Sequence, residues 1–267
     1  MIEAQAGNPR KAWLVAVAGT ALFVLLATLQ LSRGGLVSPE VDLGPNATLL
    51  GFAMFVAVIV GSLIIGRTGS GRVGWLLVTL GLIGLVNDLS KEYAVIALIR
   101  DPGSLPLGRE AAWLWDWFWV GVVALIPPLL LIFPNGRLLS RKWRVVLWAD
   151  AVCVALFVLG AILFTWPERG VALLDPADVP VENPSALTEG MEAASIAFLM
   201  FALGGGALSL ILRYRRADGI ERHQLKWLAS ASVFQLLAIL FAYIVFKGDY
   251  SVLNLLADLA VGTVPAA

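Results

Sequence analysis

The stretch LLLIFPNGRLLSRKWR, residues 129–144, decides how the chain is read. An aliphatic run stops at Phe133-Pro134-Asn135-Gly136, and Arg137, Arg141, Lys142 and Arg144 then crowd into the next eight residues. Proline lacks an amide hydrogen and glycine tolerates unusual backbone angles, so the element ends a helix and turns the chain. Cations placed straight after an apolar run have two readings. They form a surface for an acidic partner, or they mark the side of a membrane on which the turn sits. The surrounding sequence decides between them.

Of 267 residues, 59% are hydrophobic and 14% are charged. A soluble domain is about half apolar and about a quarter charged, and a compact soluble fold cannot hide this much apolar surface. Apolar runs of ~20 residues, the length that crosses a bilayer core of roughly 30 Å, recur along the chain. They lie at Ala12–Leu31, Ala47–Gly66, Val73–Leu98, Ala111–Phe133, Val145–Trp166, Met191–Leu212 and Leu228–Phe246. A partial eighth apolar segment covers 253–267. Runs this long exclude barrel strands, so the expected architecture is an all-α transmembrane bundle forming a single multi-pass domain over 1–267.

The first run follows Arg10-Lys11, lacks a small-residue cleavage signal and exceeds a signal-peptide core, so it reads as a retained anchor. Loop cations then set the orientation. With the N-terminus cytoplasmic, the inner segments hold Arg10, Lys11, Arg67, Arg72, Arg137, Arg141, Lys142, Arg144, Arg213, Arg215, Arg216, Arg222 and Lys226. The outer segments hold only Arg33, Arg100, Arg109, Arg169 and Lys247, while Lys91 falls inside the third span. The outer loop before the sixth span carries Glu168, Asp175, Asp178, Glu182 and Glu189. The tryptophans lie at or near span ends, as an aromatic belt places them, most densely in WLWDWFW (113–119). Tryptophans two apart fan around a helix instead of sharing a face. Pro127-Pro128 predicts a kink in the fourth span, and Gly204-Gly205-Gly206 predicts close helix contact in the sixth.

Few residues carry chemistry. GRTGSGRV (66–73) has Arg72-Val73 where a phosphate loop needs lysine and a hydroxyl residue, and it joins two spans. The sole histidine, His223, and the sole cysteine, Cys153, leave no His/Cys metal cluster. Equal numbers of acids and bases give no bias toward nucleic acid. Intramembrane ionisable groups are the better candidates, because burying charge is costly. Asp88, Lys91 and Glu92 in NDLSKEY stand at i, i+3 and i+4 and so share a helix face. Two readings stay open: an ion pair reaching toward headgroups, or an outward-facing site for a cation, proton or polar ligand. Asp150 lies within two turns of the inner end, where it snorkels or pairs with a loop arginine. Asp258 lies in the last apolar segment.

Three inner segments together carry a family resemblance: RTGSGRVGWLL (67–77), LLLIFPNGRLLSRKWR (129–144) and RYRRADGIERHQLKWL (213–228). They resemble the N-terminal membrane region of a group of bacterial sensor histidine kinases. That family has an Arg-rich turn leading into Val-Gly-Trp-Leu-Leu, matched by Val73–Leu77. It also has Phe-Pro-Asp-Gly-Arg-Leu before Trp-Arg, matched by Phe133–Leu138 and Trp143-Arg144 with Asn135 in place of the aspartate. Glu221-Arg222 and Gln224–Trp227 form the third match, while Gly71-Arg72 departs from the family's Asn-Pro. The phosphoacceptor helix and ATP-binding domain of such kinases do not follow, so no kinase catalysis is expected in these residues. The segment 253–267 amounts to about 22 Å of helix and reads as cut off mid-span or half inserted.

The resemblance implies a sensory or regulatory module of the bacterial cytoplasmic membrane, truncated before its kinase or working through a cytoplasmic partner or self-association. No cofactor and no nucleic acid are expected. The alternative is a small transporter or ion-conducting protein using Asp88, Glu92, Asp150 or Asp258.

Overall fold

The computed structural model describes residues 9–32, 46–67, 71–164, 171, 174, 186–219 and 221–226. The seventh span at 228–246, the segment 253–267 with Asp258, and most of the acidic outer loop lie outside the described residues.

The described chain is helical: α1 (Pro9–Ser32), α2 (Asn46–Arg67), α3 (Arg72–Val95), α4 (Gly108–Ala124), α5 (Ile126–Ile132), α6 (Arg144–Phe164) and α7 (Ala186–Arg216). A π-helical turn, Ile96–Arg100, extends α3, and a 3-10 turn, Arg141–Trp143, leads into α6. Six of the resulting stretches are long and apolar enough to cross a membrane, α4 and α5 counting as one. The protein is accordingly a multi-pass membrane protein by its helices.

Two boundaries differ from the sequence reading. The fourth span breaks at Leu125, where Pro127 and Pro128 deprive the preceding turn of amide donors and α5 starts afresh. The sixth span begins at Ala186, so Glu189 belongs to the first turn of α7 and not to a loop. A carboxylate there complements the positive end of the helix dipole, which offsets its low apolarity. At 31 residues α7 is about 46 Å long and extends beyond the hydrocarbon core.

Helix α3 is the centre of the bundle. Half of its most apolar window (50%) is buried, against 11% for the peripheral α1. It packs along α2 and against α1 and α4, while α6 packs along α7, α5 leans on α7, and α4 joins the two groups through α6. Leu26, Met54, Val58 and Leu85 form the core between α1, α2 and α3, with Phe23 stacked on Phe55 at 4.7 Å. Leu131, Val146 and Ala202 form a second core between α5, α6 and α7.

Segments that carry the cations expected on the inner side meet at one end of this bundle. Arg72 donates to the Gly136 carbonyl at 3.4 Å, and Asn135 donates to Glu221 at 2.9 Å. A side chain at Gly66 would touch Ala12, which sets the start of α1 beside the end of α2. At the opposite end Arg100 donates to the Ser32 carbonyl, and Tyr93 donates to the Pro106 carbonyl at 2.7 Å.

Candidate functional site

The polar face expected on α3 is present and packed inward. Asn87, Asp88 and Ser90 are each 9% exposed, and Glu92 is 1% exposed. The Ser90 hydroxyl donates to the Val86 carbonyl of its own helix at 2.8 Å. A Cβ built on Gly51 would lie 3.5 Å from Asp88 Oδ2, so this carboxylate faces the seam of α2 with α1. Lys91 points to α4, its ammonium 5.3 Å from the centre of the Trp115 ring. That geometry suits cation–π attraction, since the ring face is electron-rich. Asp88 and Glu92 therefore share an interior polar stripe, while Lys91 reaches across to the next helix. Such a stripe can hold a proton, a cation or a polar group.

Tryptophans 113–119 do fan around α4. Trp113 and Trp117 pair at 5.2 Å, Trp115 meets Lys91, and Trp119 sets its edge on Phe157. The Trp113 indole donates to the Ala161 carbonyl of α6 at 3.1 Å.

The same helix supplies a site that sequence reasoning passes over. Asp116 and Trp117 of α4, Gly160 of α6, and Thr188, Glu192 and Ser195 of α7 help to line a small cavity of about 20 Å³. That volume holds a single water. Thr188 and Ser195 are buried, and the Trp117 indole N–H has no hydrogen-bond partner among the described residues. Two carboxylates from different helices thus border one small cavity whose remaining walls, Leu156, Phe157, Ala161 and Met191, are apolar. Asp116 was legible as an acid inside the fourth span, but its four tryptophan neighbours direct attention to belt anchoring.

Asp150 departs from expectation. It is 6% exposed, its Oδ1 accepts no hydrogen bond among the described residues, and buried Cys153 lies one turn further along α6. It is buried instead of snorkelling, and among the described residues it pairs with no loop arginine. Asp150 stands six residues into α6, about 9 Å of helix, and the aspartate side chain has only one methylene with which to cover that distance.

Arg213 departs from its expected role as well. It is 6% exposed, and its Nη2 donates to the Leu131 carbonyl at 2.8 Å and to the Arg137 carbonyl. The last carbonyls of a helix have no partners of their own. In α5, Leu129 O accepts from Phe133 N, Ile132 O accepts from Gly136 N, and Leu131 O accepts from Arg213. Gly136 makes its contribution at φ 69°, a conformation that favours glycine. The FPNG turn is thus a helix end closed by an arginine from α7. Asn135 completes the junction through Glu221, where an aspartate would set one carboxylate against another. Arg137, Arg141, Lys142, Arg144, Arg215 and Arg216 remain exposed around it.

Among the described residues, no group of three or more His, Cys, Asp or Glu is arranged to hold a metal ion. Neither protein-family models, nor curated proteins, nor solved structures give a match to this chain.

Proposed function

We propose that the chain is the membrane input region of a sensory or regulatory protein of the bacterial sensor histidine kinase type. It sits in the bacterial cytoplasmic membrane with its N-terminus inside, crosses seven times, and carries a partial eighth apolar segment. The observation that carries this reading is the junction of the three resembling segments. Residues 72, 131–137 and 213–221 are far apart in sequence, yet they are tied by the Arg72, Asn135 and Arg213 hydrogen bonds. The departure at Asn135 has a matching partner in Glu221, which keeps the junction intact.

In this reading a stimulus at the outer end or among the helices shifts the packing of α7. The inner junction and the chain that follows relay the shift to a cytoplasmic partner or to a second copy, and the chain itself catalyses nothing. A stimulus acts only by favouring one of two bundle arrangements over the other. The test is phosphate incorporation from labelled ATP in native membranes. Label on a polypeptide containing this segment, or on a kinase co-purifying with it, is the expected result.

The buried acids favour a second reading, a small transporter or ion-conducting protein working through Asp88 and Glu92. Ion or solute flux in proteoliposomes that disappears in Asp88→Asn, with no phosphate labelling, would replace the first reading by this one.

A further inference from the structure

We propose that the cleft between the FPNG turn and the end of α7 is a binding site for a phosphate group. The cleft has a volume of about 480 Å³ and is lined by Asn135, Arg137, Arg213, Arg216 and Glu221. Three arginines line the cleft beside one glutamate, and that carboxylate already accepts from the Asn135 amide at 2.9 Å. Arg213 is fixed by two carbonyl acceptors, so its charge is held in place with little freedom to move. The guanidinium groups of Arg137 and Arg216 are exposed and have no hydrogen-bond or ion-pair partner among the described residues.

Location selects the anion. The cleft opens where α5 ends at Ile132 and α7 ends at Arg216, in the zone where an apolar span gives way to charge. Lipid phosphates lie at that level, and basic pockets between spans on this side take anionic headgroups. Planar guanidinium forks match the oxygen geometry of phosphate, which lysines do not. Two sources carry the chemistry: the headgroup of an anionic lipid, and a soluble phosphate or diphosphate. The site stands apart from the sensory reading and holds whether or not a kinase is involved.

The test uses the full chain purified in neutral detergent. Native mass spectrometry counts phosphatidic acid retained from micelles that also contain phosphatidylcholine, and thermal melts with added pyrophosphate probe the soluble source. The variant is R137Q/R216Q, which leaves the Arg213 bonds untouched. The control is R141Q/K142Q, which removes the same charge from exposed neighbours outside the cleft. We expect phosphatidic acid retention to fall at least ~10-fold in R137Q/R216Q and less than ~3-fold in the control. A pyrophosphate-induced rise in Tm with the same variant pattern assigns a soluble ligand, and retention of phosphatidic acid alone assigns a lipid. Failure of both probes, or equal loss in the two double variants, overturns the site.

Discussion

Helices α2 and α3, and helices α6 and α7, are both antiparallel pairs, yet they are held together differently. In the first pair glycines face each other. A Cβ on Gly61 would lie 2.6 Å from the Gly74 carbonyl, and one on Gly74 would lie 2.8 Å from the Gly61 carbonyl. The two backbones touch, and about half of each apolar window is buried (44% and 50%). In the second pair the glycines meet side chains and not backbone, Gly205 of α7 against Val146 and Gly160 of α6 against Met191, and the windows are 28% buried. An open apolar groove between Trp148, Val152, Phe198 and Phe201 runs along this pair. Lipid tails are as apolar as leucine, so close approach, and not hydrophobicity, holds helices together in a membrane. The α2–α3 pair has that approach along its length. The α6–α7 pair lacks it, and α7 is tied instead to the end of α5 by Arg213.

The largest expected effect breaks the tight pair. Gly61→Leu forces the α2 and α3 backbones apart and should cost about 3 kcal/mol, seen as loss of monodisperse protein in detergent. An unchanged Tm would mean that the two backbones do not touch. Next comes the tie between α7 and the end of α5. Arg213→Gln leaves the Leu131 carbonyl without its charged donor, and we expect a loss of about 2 kcal/mol with faster proteolysis across 135–142. If cleavage is unaltered, α7 is held by something other than this bond.

A smaller effect sharpens the comparison within one helix. Gly204 has open space, whereas a Cβ at Gly205 would sit 2.7 Å from Val146 Cγ2. Helix propensity alone favours alanine over glycine by about 1 kcal/mol. Gly204→Ala should therefore raise the Tm, and Gly205→Ala should lower it or leave it unchanged. Equal shifts would remove Gly205 from the interface. The smallest effect concerns the tie between α3 and α4. Trp115→Phe keeps an aromatic ring beside Lys91 but weakens the cation–π contact, so a loss of about 0.5 kcal/mol is expected in a thermal melt.

Much of this was legible beforehand. The six described spans, a distortion of the fourth at Pro127-Pro128, the shared helix face of Asp88 and Glu92, and the fanned tryptophans all follow from local pattern, whereas the inward packing of that face does not. Gly204–Gly206 was legible only as a triplet, since two members meet neighbours and Gly204 meets none. Gly61 and Gly74 drew no notice, because isolated glycines are common in membrane helices and only their partners give them meaning. Asp116 and Glu192 lie 76 positions apart on different helices, and no spacing rule connects them.

By itself the sequence determined that the chain is helical, that its helices are long enough to cross a bilayer, and that its cations gather in alternate connections. These are one-dimensional properties, set by the length of apolar runs and by which connection a charge falls in. Only the tertiary structure decided which glycines touch a neighbouring backbone, which acids border one cavity, and that Arg213 closes a helix end instead of facing solvent. The physical reason is rotational. A membrane helix is apolar around its whole circumference, so hydrophobicity does not mark the side that meets another helix.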